Sequence, residues 1–179
     1  MSAGQIVLLI IAIVLFLIII SAIWCLLVIR MFNNLIEEIK KDEMSLNSSL
    51  IKYYQVVSKN LEELQGDGVL KNEDFKALKA LKSPTTLKEF SDKQDFFDQL
   101  YRLLIKINEV LKTDSKLLEN ETYLSYLKAT TTSLEDLHAK RRVYNANVAY
   151  FNQKRITFPA KFVASLKKIV SFPFFETER

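Results

Sequence analysis

From Ile6 to Ile29 no residue carries a formal charge and nearly every one is apolar, so the hydrophobic pattern there has no period. As a helix rising 1.5 Å per residue this run is roughly 36 Å long, enough to cross a hydrocarbon core of about 30 Å. Past Arg30 the pattern changes. Phe32, Leu35, Ile39, Leu46, Leu50, Tyr53, Val57, Leu61 and Leu64 recur at helical spacing, opposite Glu38, Lys41, Lys52, Lys59 and Glu63. No breaker intervenes, so the spacing predicts one helix running out of the apolar stretch to the turn signal Gly66-Asp67-Gly68.

Three further helical stretches follow. A short one opens at Asn72, carries Phe75, Leu78 and Leu81 on one face, and ends before Pro84. A longer one begins around Thr86 and reads Phe90, Phe97, Leu100, Leu104, Ile107, Leu111. The last is capped by Asn120 and reaches about Thr157, before Phe158-Pro159, with Leu124, Leu127, Leu134, Leu137, Tyr144, Val148 and Phe151 on its apolar face. Amphipathic helices joined by short connections pack as antiparallel neighbours. The expected fold is therefore all-α: one N-terminal transmembrane helix (residues 1–30), an antiparallel bundle of about four helices (31–158), and a basic aromatic tail (159–179). If neighbours alternate in direction, the last bundle helix returns the tail to the membrane.

Charge sharpens this picture. From Met31 to Leu137 there are 15 Lys/Arg against 19 Asp/Glu, and from His138 to Arg179 there are 9 against 2. A basic C-terminal quarter on a mildly acidic body fits contact with an anionic surface. In the tail, Lys161, Lys167 and Lys168 alternate with Phe162, Phe172, Phe174 and Phe175, a composition suited to a headgroup layer. The alternative is that these aromatic rings cover the open end of the bundle. The apolar run is too long for a secretory signal and has no Lys or Arg before it, which argues against cleavage. Arg30, Lys40 and Lys41 follow it, so the positive-inside rule puts the bundle in the cytoplasm and the N-terminus outside the inner membrane.

Candidate chemistry is sparse. The one cysteine, Cys25, lies in the apolar run, which rules out a disulfide or a cysteine-based zinc site within one chain. His138 is the one histidine; with Glu135 it offers at most two ligands, and no glycine-rich phosphate loop or nucleophile elbow accompanies it. The expectation is no catalytic residue, no metal, no cofactor and no small-molecule substrate. The expected partners are the bilayer and an unidentified protein; the pattern is compatible with self-association, and the acidic body disfavours nucleic acid. Asn145 and Asn152, seven residues apart on one helix face, fit either hydrogen bonds that fix the register between helices or recognition of a partner.

The C-terminal third carries a resemblance. Arg142 to Asn152, reading RVYNANVAYFN, leads to Phe158-Pro159 and closes on Phe174-Phe175-Glu176, and the Asn34-Leu35-Ile36-Glu37-Glu38 stretch follows the apolar run. This resembles the LemA family, the matched positions being Asn34, Glu37, Glu38, Arg142, Tyr144, Asn145, Val148, Phe151, Asn152, Phe158 and Pro159, with Phe175 and Glu176 at the end. Asn120-Glu121 resembles that family's cap before its last helix. The resemblance implies a bacterial or archaeal single-pass membrane protein with a helical bundle and no established enzymatic activity. Ser49 to Val56 departs from the family's pattern, lacking its proline and arginine.

Overall fold

The computed structural model describes residues 2–66, 76, 79–81, 83–112 and 120–176. Among these the chain is all-helical: α1 (Ala3–Gly66), a 3-10 turn at Pro84–Thr86, α2 (Phe90–Lys112), α3 (Glu121–Ile156) and α4 (Ala160–Leu166). The absence of any Pro or internal Gly between Gln5 and Gln65 leaves nothing to break α1, and it runs without interruption from the apolar stretch to Gly66. The short helix expected from Asn72 and the turn at Asp67-Gly68 fall largely outside the described residues.

The helix expected from Thr86 starts four residues later, because Pro84 and Ser83 build a different local structure. Pro84 begins the 3-10 turn, the Ser83 side chain accepts from the Thr85 amide, and Leu87 is extended (φ −83°, ψ 122°), so the chain enters α2 only at Phe90. Asn120 caps α3 as its type and position require, its Oδ1 accepting the Tyr123 amide at 3.0 Å. Lys154 and Arg155 occupy the last turn of α3, where positive charge complements the helix dipole.

Two compact units divide the chain. The first comprises Met1–Lys40 and Asn147–Pro173, the second Lys41–Ala146 and Phe174–Arg179. In the first unit α1 contains a stretch long and apolar enough to cross a membrane, and none of it is buried. Its side chains are exposed all round, from Ile6 at 46% through Leu8 at 68% to Leu27 at 60%. Beyond it, Val28, Phe32, Leu35 and Ile39 are buried. The Phe32 ring meets Phe151 of α3 edge-on at 5.6 Å, and Phe151 meets Phe172 at 5.1 Å. With Trp24 and Thr157 lining a common cleft further along, α1 and α3 run antiparallel within this unit.

The second unit is a three-helix packing of the remaining parts of α1 and α3 with α2. Ser49 Oγ donates to Asp136 Oδ2 at 2.8 Å between α1 and α3, and Lys93 of α2 pairs with Glu43 of α1 at 3.2 Å. Lys93 is only 11% exposed in its side chain, so its charge depends on that partner. Core layers are built from Leu46, Leu50, Tyr53, Val57, Phe97, Leu100, Tyr126 and Leu137. Burial pushes the hydroxyls of Tyr53 and Tyr126 well above the ordinary phenol range, and Tyr126 donates to Asn108 at 3.1 Å.

Phe97 is 1% exposed and its ring touches those of Tyr101, His138 and Phe175. Replacing it by alanine is expected to lower stability by about 3–5 kcal/mol, read by denaturant unfolding of the detergent-solubilised chain. A loss below about 1 kcal/mol would show that this layer is not a closely packed core.

Candidate functional site

The tail is where the chain's polar and apolar demands conflict. After α4, residues 169–176 have no regular secondary structure, so each described amide and carbonyl there needs a partner other than a helix or strand ladder. Side-chain amides meet that need. In the first unit, Asn152 Nδ2 donates to the Phe172 carbonyl at 2.9 Å while the Phe172 amide donates to Asn152 Oδ1 at 3.1 Å. In the second, Asn145 makes the same pair of bonds to Phe175, both at 2.9 Å. Gln94 of α2 repeats the arrangement one residue later: the Glu176 amide donates to Gln94 Oε1 at 2.9 Å, and Gln94 Nε2 donates to the Glu176 carbonyl.

Asn145 and Asn152 therefore do not set register between helices; their partners are the main chain of the tail. An amide side chain presents a donor and an acceptor in one plane, as a peptide group does, so each one substitutes for a neighbouring strand. Gln94 had no sequence signal, being one polar residue among many on α2.

The seven tail residues read from sequence as a surface separate into two sets. Lys161, Phe162, Lys167 and Lys168 are exposed, and Phe174 is 45% exposed. Phe172 and Phe175 turn inward, which corrects their assignment to that surface. Phe172 is half-buried on Phe151, and Phe175 is 1% exposed, packed on Phe90 and Phe97 with centroids at 5.7 Å in both cases. The two clamped phenylalanines turn their rings inward, which the spacing of phenylalanines alone does not disclose, while Glu176, held by Gln94, stays exposed.

Of the other matched positions, Tyr144, Val148 and Phe151 are fully buried, and Tyr144 stacks on Phe90 at 5.6 Å. Asn34, Glu37, Glu38 and Arg142 are exposed. Phe158 is 84% exposed, the most uncovered of the large apolar side chains, and its bond to Pro159 is cis.

In the first unit the Phe158-Pro159 corner lies beside the end of the apolar stretch. Trp24, Val28 and Met31, spaced i, i+4, i+7 on α1, form one wall of a cleft of about 160 Å³; Lys154, Thr157 and the Phe158-Pro159 corner form the other. Around it, α4 buries Ala160, Val163 and Ala164 and leaves Phe162 (67%) and Leu166 (74%) uncovered, with Val170 at 76% and Ile156 at 62%. Between Asn147 and Pro173 there are five cations, Lys154, Arg155, Lys161, Lys167 and Lys168, and no acid. None of the five pairs with a carboxylate among the described residues; Lys154 Nζ sits 5.2 Å above the Tyr150 ring. The result is a basic hook with an uncovered apolar face.

The second unit holds a larger cleft, about 510 Å³, where Lys52 and Val56 of α1 face Ser125, Lys128, Thr132 and Asp136 of α3. Its lysines are offset by Asp136, and the small residues of α3 account for the space. His138 lies against Phe97, with Arg141 and Arg142 as its charged neighbours, and among the described residues no group of three His, Cys, Asp or Glu is placed to hold a metal ion.

Burial, reinforced by the two arginines, holds the His138 imidazole below its ordinary 6.5. As pH falls through 6.5 the unfolded chain takes up a proton that the folded chain does not, so stability drops with acidification until the folded pKa is passed. His138→Gln is expected to flatten the pH dependence of the thermal midpoint between about pH 8 and 5; an unchanged slope would place the titrating group elsewhere.

Asn145→Leu keeps the bulk of the side chain and strands the Phe175 amide and carbonyl. The expected cost is about 2–4 kcal/mol, with much faster hydrogen exchange at the Phe175 amide. Protection equal to that of the unaltered chain would mean that the tail holds without the clamp.

A family model matches residues 31–179, that of the LemA family, and the match starts directly after Arg30, where the uncharged stretch ends. None of the curated proteins matches the chain.

Proposed function

Because the chain belongs to the LemA family, we propose that it is a single-pass membrane protein: a non-enzymatic helical scaffold held at the cytoplasmic leaflet by two contacts, the apolar stretch of α1 and the basic hook. The observation that carries this reading is the hook's composition and place in the first unit. Ile156, Phe158, Phe162, Leu166 and Val170 are each more than 60% exposed beside five cations that meet no carboxylate among the described residues, next to Trp24, Val28 and Met31 at the end of the apolar stretch. Water disfavours so much uncovered apolar surface, whereas a headgroup layer accepts both the rings and the charges.

Closure of the helix ends, the competing role for the tail, accounts for Phe172 and Phe175 but not for the five outward side chains. The two roles belong to different residues of the same tail. Arg30, Lys40 and Lys41 support a cytoplasmic bundle. A protein partner would meet the exposed faces of the second unit, where opposite charges alternate.

Site-directed spin labelling tests the hook. With Cys25 replaced by serine and a label at Leu166→Cys, the full chain in anionic nanodiscs is expected to show oxygen-rich, membrane-like accessibility. Lys161, Lys167 and Lys168 each contribute about 1 kcal/mol at an anionic leaflet, so changing all three to glutamate should shift the label into water. A label in water in the unaltered chain would overturn the hook's role. Orientation has its own measurement: an impermeant maleimide added to intact cells should not react with Glu62→Cys, and ready labelling would place the bundle outside.

A further inference from the structure

We infer that the cleft between Trp24 and Lys154 is a binding site for the glycerophosphate end of one anionic phospholipid. This rests on the hook lying in the headgroup layer, and adds to it a specific seat for a single lipid. The cleft belongs wholly to the first unit and is built from two chemically different walls. On α1, Val28 and Met31 supply apolar surface and Trp24 the chain's one indole, whose N–H meets no described residue. On the α3 side, Lys154 brings an ammonium group that no described carboxylate neutralises and that sits 5.2 Å over the Tyr150 ring, while Phe158 stands 84% exposed at the edge.

A phospholipid presents the matching sequence of groups: a phosphate for a cation, ester oxygens for an indole N–H, and an acyl chain for apolar side chains. The volume, about 160 Å³, is that of a cavity able to take a benzene-sized group, so it receives one end of a lipid and not the whole molecule. The rest of the lipid would extend beside the uncovered α1 side chains Ile20, Ile23 and Leu27, which are 47–60% exposed. Thr157 is committed elsewhere, its hydroxyl donating to the Gln153 carbonyl at 2.7 Å, so the phosphate is left to Lys154. The carbonyls at the end of α3 repel an anion, and the paired positive charges of Lys154 and Arg155 offset them. Two other clefts among the described residues lack this combination: that of Lys52 and Lys128 includes Asp136, and that around Tyr53 and Asn108 has no cation lining it.

Trp24 is the only tryptophan, so its fluorescence reports on this cleft alone. The full chain is placed in nanodiscs containing, at equal mole fraction, a phosphatidylglycerol or a phosphatidylcholine with dibrominated acyl chains. Quenching by the anionic lipid is expected to exceed that by the neutral one about fivefold, the factor carried by one lysine–phosphate contact at a leaflet. Lys154→Gln should remove the preference, with helicity by circular dichroism unchanged, while the Lys161, Lys167 and Lys168 to glutamine variant keeps most of it.

Equal quenching by the two lipids would overturn the site. So would a preference that survives Lys154→Gln and vanishes with the other three lysines, since lipid would then be gathered by the general charge of the hook. Loss of the preference in millimolar inorganic phosphate, against chloride at matched ionic strength, would assign the cleft to free phosphate. The spin label at Leu166 reports the hook separately, so a hook in the headgroup layer with equal quenching at Trp24 discards the lipid seat alone.

Discussion

The stretch from Ile6 to Ile23 is not covered by any other described part of the chain, and that single condition bears on what the rest of the first unit has to be. Its large side chains are about half exposed or more on every face of the helix. A soluble helix hides one stripe and wets the other; this one has no wet stripe, and its length and composition suit a hydrocarbon core. Cover by protein begins at the half-buried Trp24 and is complete at Val28 and Phe32, where rings and aliphatic side chains of α3 and the tail arrive. If the stretch crosses a membrane as proposed, what lies beside that boundary meets a layer in which apolar surface and charge coexist. The hook fits that condition: among the described residues its cations meet no carboxylate and its apolar side chains lack cover, features that would each be costly in a soluble domain and are both ordinary in a headgroup layer.

Much of this was legible in the sequence because it follows from periodicity. The unbroken α1, the cap at Asn120 and the end of α3 before Phe158-Pro159 each rest on a local rule, and the structure has them where the rule puts them. The start of α2 did not follow its apolar pattern, since the Ser83-Pro84 pair supplies a competing local structure that delays the helix to Phe90. The tail was legible as a composition and not as an arrangement. In an irregular segment without a partner strand, no period tells which phenylalanine faces inward; Phe172 and Phe175 do, held at the main chain by Asn152 and Asn145 and received by the rings of Phe151 and of Phe90 and Phe97. The cleft of Trp24 and Lys154 was equally silent: the two are far apart in sequence, and each alone has an ordinary explanation.

The clamps themselves explain why amides are needed at 94, 145 and 152. An extended residue offers an N–H and a C=O on the same edge, and both lie close enough to one side-chain amide to be satisfied together. Aspartate would accept from the N–H and leave the carbonyl facing another oxygen; lysine would do the reverse; serine offers one hydroxyl proton and no fixed plane. Asparagine and glutamine alone present both functions at a fixed spacing. Because they read the main chain, they place no demand on the identity of the residue they hold. Specificity has to come from elsewhere, and it comes from the rings: Phe151 receives Phe172, while Phe90 and Phe97 receive Phe175. The polar bonds and the ring contacts are thus separate requirements on the same two residues. Phe162, Leu166 and Val170, which carry neither and are exposed, are the ones the proposed reading turns toward the membrane.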